Sequence, residues 1–121
     1  AIVIGPSNPW LSIAPILEIK ALRAALVSRD VPRVAVSPIV GGKAIKGPTA
    51  KIMHELGITP SAREVALYYG DVINGFVYDK TDDALQLASL RTSQEQTVMR
   101  TDRDKILLAE TLMKKLVSWS E

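Results

Sequence analysis

The chain opens with Ala1-Ile2-Val3-Ile4-Gly5, a run of β-branched residues that ends at a glycine. Two later stretches have the same character, Arg33-Val34-Ala35-Val36-Ser37 and Gly75-Phe76-Val77-Tyr78-Asp79. β-Branched and aromatic residues pack well on the pleated surface of a strand, and segments with helical periodicity separate the three stretches. Short buried strands that alternate with helices are typical of βα units. We therefore predict an α/β fold with a mainly parallel sheet.

Helices are predicted where the apolar spacing changes to three and four residues. Pro48 suits the first turn of a helix because its missing N–H is not needed there. Ser61 can cap a helix with Glu64 three residues later, and Thr101 can cap the last helix. The predicted helices cover residues 18–28, 49–56, 61–69 and 102–119, with a short helix at 84–90 and a weak edge strand at 96–99.

Composition excludes several classes of protein. With 121 residues, 47% of them hydrophobic, the chain can bury a core and form one small domain. The absence of cysteine excludes disulfides, thiolate zinc sites and a cysteine nucleophile, and a single histidine excludes a multi-histidine metal centre. A net charge of +2 gives no reason to expect nucleic acid. No apolar run approaches the roughly 20 residues of a transmembrane helix, so we expect no membrane partner and a cytoplasmic protein.

The position of the first strand suggests a longer parent chain. The strand begins at residue 1, without an initiator methionine or a polar lead-in. Chain termini usually lie at the surface rather than inside a buried strand. We therefore expect the upstream part of the protein to be missing from this sequence, and we treat residues 1–121 as a single segment without repeats or linkers.

The first candidate binding loop covers residues 5–12 and follows the first strand. Ligands of open parallel sheets bind beyond the carboxyl ends of the strands. This loop combines two prolines with short polar side chains at Ser7, Asn8 and Ser12, which could contact a phosphate or a sugar hydroxyl. The same residue types are common in ordinary turns, so a plain strand-to-helix connection is the alternative.

The second candidate loop covers residues 37–48 and contains several glycines and lysines. Gly42 and Gly47 have the spacing of P-loop glycines, but Pro48-Thr49 replaces the usual Lys-Ser or Lys-Thr, so an ordinary nucleoside triphosphatase is not expected. Glycine amides together with Lys43 and Lys46 could still neutralise a diphosphate. A solvated basic turn is the alternative.

The third candidate loop covers residues 79–83 and follows the third predicted strand. Acidic residues cluster in sequence around this strand, at Asp71, Asp79, Asp82 and Asp83. Carboxylate oxygens are the ligands of hard cations such as Mg²⁺, but surface turns are also rich in aspartate, and the plain-turn interpretation is the favoured one. His54 is interpreted as a solvated side chain without a catalytic role. Tyr68 and Tyr69 are interpreted as packing residues of the core or its rim rather than as a ligand platform.

These residues together resemble the 2-phospho-L-lactate transferases of deazaflavin coenzyme F(420) biosynthesis. The resemblance runs almost end to end and in the right order. It is carried by residues 4–9 (IGPSNP), 12–17 (SIAPIL), 36–43 (VSPIVGGK), 46–48 (KGP), 69–71 (YGD) and 75–77 (GFV), with Met99 and Leu108-Ala109. Because chains of that family are considerably longer, the resemblance implies that this sequence is the C-terminal part of a Rossmann-like three-layer sandwich.

The resemblance also implies a reaction. A phospho-lactyl group, or a phospho-enolpyruvyl relative, would pass from a guanosine diphosphate-linked donor to the ribityl hydroxyl of a deazaflavin acceptor, with release of GMP. Mg²⁺ is the implied cofactor, and a homodimer is left open as the assembly. The implied substrate-binding residues are Ser7, Asn8, Ser12, Ser37, Gly41, Gly42, Lys46 and Gly47, and Asp71 is the weaker candidate for a metal-side carboxylate. On its own the 121-residue chain is expected to be inactive.

Two further interpretations stay open at this stage. One is a nucleotide-sugar-binding regulator of a sister family, although that family's first loop tends to read Gly-Pro-Gly-Ser-Leu-Tyr-Thr where this chain has Gly5-Pro6-Ser7-Asn8-Pro9-Trp10-Leu11. The other is a structural or dimerising element without activity. The chain also has Asn74 where family members often carry an acidic residue, so a role of that position as a base or metal ligand is in doubt.

Overall fold

A sheet of four parallel strands lies at the centre of the computed structural model, which describes residues 1–121. The strands are β1 (Ile2–Ile4), β2 (Arg33–Val36), β5 (Gly75–Asp79) and β6 (Arg91–Glu95), in the spatial order β1-β2-β5-β6. Between β2 and β5 the chain forms a small antiparallel hairpin of β3 (Ile39–Val40) and β4 (Lys43–Ala44). The predicted α/β fold with a mainly parallel sheet is confirmed.

Helices cover both faces of the sheet and make a three-layer arrangement. Side chains alternate along each strand, so Val34, Val36 and Val77 pack towards α5 (Asp102–Trp119), where Leu116 completes their cluster. The main core lies on the other face and includes Ala35, Phe76 and Tyr78. The remaining helices are α1 (Ala14–Leu17), α2 (Lys20–Val27), α3 (Thr49–Glu55) and α4 (Ala62–Tyr69). None of the helices combines the length and apolarity needed to cross a membrane.

Two predicted helix caps are confirmed at the level of single hydrogen bonds. The Ser61 hydroxyl accepts from the backbone N–H of Glu64 at 3.1 Å. Thr101 and Asp104 form a complete capping box at the start of α5, because each side chain accepts from the other residue's backbone N–H. Such caps satisfy N–H groups that have no partner within the helix.

The connection from β1 to β2 contains more helix than the sequence predicts. Residues predicted as a loop include a π-helical segment, Pro9–Ile13, which continues into α1. The predicted helix at 18–28 is α2, at residues 20–27. Asn8 begins the π-helical segment because its Oδ1 atom accepts from the backbone N–H groups of Trp10 and Leu11, at 3.0 and 3.2 Å.

The predicted short helix at 84–90 is wrong, since the segment between β5 and β6 is irregular. Leu85 and Leu87 pack against the main core while the residue between them is exposed, which is the alternation of extended backbone. Side chains also take the backbone groups that a helix would use. The N–H of Leu85 donates to the Tyr78 hydroxyl at 2.8 Å, and its carbonyl accepts from the Thr92 hydroxyl at 3.3 Å.

The edge strand predicted at residues 96–99 is wrong, because these residues form no strand. The edge strand of the sheet lies just before them, at residues 91–95. β6 pairs with β5 from Gly75–Arg91 to Asp79–Glu95 in parallel register. Its sequence, RTSQE, contains no apolar residue. An edge strand with one face towards water can be polar, so a search for apolar runs does not detect it.

Candidate functional site

A cavity of about 250 Å³ lies at the carboxyl ends of the parallel strands. Its walls come from the loops after β1, β2 and β6, together with the start of α5. The lining residues are Pro6, Ser37, Pro38, Val40, Ile45, Lys46, Thr97, Met99 and Lys105. Two of the three loops that the sequence analysis selected therefore meet at one cavity, with Pro6 from the first and Lys46 from the second. No residue of the third loop, at 79–83, lines it.

The first loop contributes less side-chain chemistry than its sequence suggests. Pro6 lines the cavity, whereas Ser7 and Ser12 are exposed and do not line it. The Asn8 carboxamide oxygen serves as the helix cap, and its Nδ2 group is buried without a hydrogen-bond partner in the protein. The side-chain amide nitrogen of Asn8 is thus the donor in this loop that has no partner. The roles of Ser7, Asn8 and Ser12 in binding stay predictions.

Ser37 lines the cavity through a tight turn at the end of β2. The residue is 2% exposed, and its hydroxyl both donates to the Ile39 carbonyl at 3.0 Å and accepts from the Ile39 N–H at 3.1 Å. This double contact fixes the direction in which the chain leaves the strand. The hydroxyl is thereby committed to the backbone.

The glycines of the second loop form turns rather than a continuous phosphate cradle. Gly41 and Gly42, with φ of 58° and 75°, make the tip of the β3–β4 hairpin. Two-residue hairpin turns require positive φ, which glycine adopts without steric cost. Gly47, with φ of 72°, lies just before α3. None of the three lines the cavity, and the Gly41 N–H donates to Asp82 Oδ1 at 2.8 Å.

Two lysines give the cavity a positive character. Lys46 comes from the segment after β4, and Lys105 comes from the first turns of α5. Lys105 also forms an exposed ion pair with Asp102 at 3.2 Å. No aspartate or glutamate lines the cavity. A site with ammonium groups and no carboxylate favours an anionic ligand such as a phosphate.

Thr97, Met99 and Lys105 are cavity residues that the sequence analysis missed. The sequence did contain one signal for these residues, the predicted helix cap at Thr101. A helix that follows a parallel strand begins at the carboxyl edge of the sheet, so the start of α5 lies beside the cavity. The sequence analysis assigned residues 96–99 to a strand, so it did not consider them as a binding loop. In the structure they form a loop that lines the cavity through Thr97 and Met99.

Asp79 ends β5 and organises the wall of the cavity behind Thr97. It is 2% exposed and accepts four hydrogen bonds of 2.7 to 3.0 Å, from the backbone N–H and hydroxyl groups of Thr81 and Thr97. Burial alone would raise the pKa of Asp79, but these donors outweigh it and lower the pKa below its usual value. Asp79 is therefore a satisfied structural carboxylate rather than an open metal ligand.

Asp71 lies at the opposite end of the sheet from the cavity. It precedes β5 in a 3₁₀ turn, Gly70–Val72, and its carboxylate pairs with Arg23 at 2.6 Å on the exposed surface. The structure does not bring Asp71 to the cavity, because residues before a parallel strand lie at its amino end. No group of three or more His, Asp or Glu side chains is arranged to hold a metal ion.

Asn74 has a structural role at this same amino end. Its Oδ1 atom accepts from the N–H of Arg33 at 2.7 Å, and its Nδ2 group donates to the carbonyl of Val31 at 3.0 Å. One side-chain amide thus ties the start of β2 to the start of β5. A carboxylate could make only the first of these two bonds.

The remaining sequence candidates fall outside the cavity. His54 is exposed on α3. Tyr69 is 2% exposed within the main core, and burial raises its pKa well above the usual value. Tyr68 lies at the rim of the core against Trp10, with a distance of 4.7 Å between ring centroids. These positions agree with the packing interpretation of both tyrosines.

Comparison with known proteins identifies the family. A family model described as 2-phospho-L-lactate transferase CofD matches residues 1–117. The 2-phospho-L-lactate transferase of Methanosarcina mazei is 40% identical over 116 residues, which cover 93% of this chain and 38% of the relative. Those of Methanosarcina barkeri and Methanopyrus kandleri are 37% and 35% identical, and the match again covers 93% of this chain and 37% of each relative.

The chain thus spans somewhat more than a third of the length of these curated relatives. The family resemblance drawn from the loops at residues 4–9 and 36–48 agrees with the match, which extends over nearly all residues. The chain belongs to the 2-phospho-L-lactate transferase family.

Proposed function

We propose that the protein carrying this chain transfers a phospho-lactyl group, or its phospho-enolpyruvyl relative, from a guanosine diphosphate-linked donor to the ribityl hydroxyl of a deazaflavin, and releases GMP in coenzyme F(420) biosynthesis. Family membership supports the reaction class. The observation that carries the proposal for this chain is the cavity at which Pro6, Lys46 and Lys105 converge. In this proposal that cavity binds the diphosphate of the donor.

The charge and position of the cavity suit a diphosphate. Lys46 and Lys105 are the charged residues in its lining, and they reach it from two different elements. Two ammonium groups can offset charge on phosphate oxygens and hold them in place. Asn8 does not line the cavity, and its Nδ2 group is buried, so its contact with the donor rests on the family resemblance alone.

The proposed transfer requires an oxygen–phosphorus bond to form and another to break. The ribityl oxygen attacks the phosphorus that carries the lactate, and the hydroxyl proton passes to water. The bond from this phosphorus to the bridging oxygen breaks, so that GMP departs with the bonding electrons. Negative charge grows on the bridging oxygen. In this proposal the ammonium groups of Lys46 and Lys105 offset that charge.

Mg²⁺ belongs to the proposal through the family resemblance, and the lining of this cavity does not provide ligands that fit it. Mg²⁺ in proteins prefers carboxylate oxygens, whereas here the cavity is lined by two lysines and no acidic side chain. Asp71 is at the other end of the sheet and pairs with Arg23. We therefore assign no step of the transfer to the metal on the basis of this chain.

Two measurements test the function. The full-length protein that carries this sequence is incubated with deazaflavin, Mg²⁺ and the guanosine-linked donor, and we expect equimolar GMP and phosphorylated deazaflavin. Binding of a UDP-sugar without turnover would instead support the regulatory interpretation. Titration of the 121-residue chain with GDP tests the cavity itself. We expect this chain to bind GDP weakly and to show no transferase activity.

The cellular setting and assembly complete the proposal. We place the reaction in the cytoplasm, and we propose a homodimer as the assembly. Leu11, Ile16 and Ile19, in the connection between β1 and β2, are between 46% and 58% exposed and offer apolar area for a contact between copies. Sedimentation of the wild type and of a Leu11→Lys/Ile19→Lys variant tests this assembly, because the lysines should abolish the dimer.

A further inference from the structure

Asp82 holds the tip of the β3–β4 hairpin. Its Oδ1 atom accepts a hydrogen bond of 2.8 Å from the backbone N–H of Gly41. Asp82 belongs to the turn after β5, whereas the hairpin follows β2, the neighbouring strand of the sheet. The bond therefore joins two loops at the same end of the sheet. The donor site proposed above does not use it.

The hairpin has few other polar contacts that could fix its tip. Each of its strands has only two residues. Two-stranded hairpins are marginally stable by themselves in water. On one side the tip lies against the carbonyl of Pro60, where a Cβ on Gly42 would approach the oxygen to 3.5 Å. The Gly41 N–H at the tip contacts the carboxylate of Asp82. The base of the hairpin is anchored by Ile39, which is buried in the main core.

Asp82 is itself held in place by the sheet. Its backbone N–H donates to the Asp79 carbonyl at 3.1 Å, and its own carbonyl accepts from Gln94 Nε2 at 2.7 Å. Asp79 ends β5 and Gln94 lies in β6. The backbone of Asp82 is therefore held by two strands, and the hydrogen bond from Gly41 to its carboxylate links the hairpin to this fixed backbone.

The hairpin leads directly into the cavity. β4 ends at Ala44, and the next two residues, Ile45 and Lys46, both line the cavity. A shift of the hairpin tip moves the start of this segment and with it the Lys46 ammonium group. We propose that Asp82 is a positioning residue that fixes the hairpin and so holds Lys46 at the cavity. The ligand part of this inference rests on the proposed function.

The bond to Gly41 can be tested without any ligand. Amide hydrogen exchange at Gly41 is compared in the wild type, Asp82→Ala, Asp82→Asn and Asp83→Ala. We expect exchange about tenfold faster in Asp82→Ala, because a hydrogen bond to a charged acceptor is lost. Asp82→Asn keeps an oxygen acceptor and should restore most of the protection. Asp83→Ala removes an exposed carboxylate from the same turn and should match the wild type.

A second measurement, the affinity for GDP, tests whether Asp82 controls the position of Lys46. We expect Asp82→Ala to weaken GDP binding about fivefold while its thermal unfolding midpoint stays within about 2 °C of the wild type. Asp82→Asn should restore the affinity, which a general loss of stability or charge would not do. Unchanged exchange at Gly41 in Asp82→Ala, or equal loss of affinity in Asp82→Ala and Asp83→Ala, would overturn the inference. A wild type that binds no GDP counts against the proposed function, and the exchange result still decides whether Asp82 fixes the hairpin.

Discussion

Thr97 donates both its backbone N–H and its hydroxyl to the same carboxylate oxygen of Asp79, at 3.0 and 2.9 Å. Asp79 ends a central strand, whereas Thr97 follows the edge strand and lines the cavity. The other carboxylate oxygen takes the two donors of Thr81. One buried side chain therefore holds together the turn after β5 and the loop after β6.

Asp79→Asn should destabilise the protein by about 1–3 kcal/mol, because the amide nitrogen that replaces one oxygen cannot accept the two donors it faces. The free energy of unfolding in urea measures the effect. Asp83→Asn, an exposed neighbour, is the matched control and should change it by less than about 0.5 kcal/mol. Equal stability of the two variants would contradict the structural role of Asp79.

The stability of the wild type should fall at low pH because of Asp79. Its folded-state pKa is lowered, so it lies below the unfolded-state value of about 3.9. The stabilising contribution is fully present above that value and is lost as the pH falls through the folded-state pKa. Urea unfolding between pH 7 and pH 3 should therefore show a steeper loss below about pH 4 in the wild type than in Asp79→Asn.

Gly75→Ala should be strongly destabilising. A Cβ at Gly75 would lie 2.7 Å from Cζ3 of the Trp119 ring and 3.0 Å from Cγ2 of Val34, so the residues between sheet and helix would have to move. Overpacking of this kind costs about 1–3 kcal/mol. The control is Gly5→Ala, because a Cβ at Gly5 would meet no atom within 4 Å. Truncation of the ring in Gly75→Ala/Trp119→Leu should recover part of the loss.

Asn74→Asp should lower stability by about 1–2 kcal/mol, since the carboxylate cannot donate to the Val31 carbonyl and would face it instead. Its affinity for GDP should equal that of the wild type, because Asn74 lies at the amino end of the sheet, away from the cavity. Thermal unfolding and calorimetric titration check the two statements. A change in affinity without a change in stability would assign Asn74 to the binding site.

Lys46→Gln and Lys105→Gln should each weaken GDP binding about threefold to tenfold, because each removes a positive charge from the lining of the cavity proposed to bind the diphosphate. The affinity of the wild type should also fall as salt rises, and less steeply in either variant. Lys51→Gln is the matched control, since Lys51 lies exposed on α3 and pairs with Glu55 at 3.8 Å. An equal effect of all three changes would show a general response to net charge.

The sequence predicts the strands at 2–4, 33–36 and 75–79 and the capped helices well, because these depend on local rules. The β-branched residues at 2–4, the pair Ser61 with Glu64, and Thr101 indicate their structures directly. The first strand is less buried than its sequence suggests, since Val3 is 45% exposed. The polar edge strand and the irregular segment before it depend on tertiary contacts. Leu85 is kept out of a helix by the hydroxyls of Tyr78 and Thr92, and no local pattern reveals those partners.

The sequence predicted which loops form the candidate site, but not which side chains of those loops are available to a ligand. The rule that ligands bind at the carboxyl ends of parallel strands selects the loops of Pro6 and Lys46, which do meet at the cavity. It does not show which side chains are free. Ser37 is committed to Ile39, Asn8 caps a helix, and Gly41 bonds Asp82, and each of these contacts competes with a ligand.

The all-parallel pairing of the central sheet has a consequence for the order in which the protein folds. Ile2 pairs with Arg33, Val34 with Gly75, and Gly75 with Arg91, so no two neighbouring strands are joined by a tight turn. A long stretch of chain must be closed before the first ladder bond can form, and this entropy slows folding. The cavity walls come from the ends of three strands, so we expect the cavity to form only after the strands have paired.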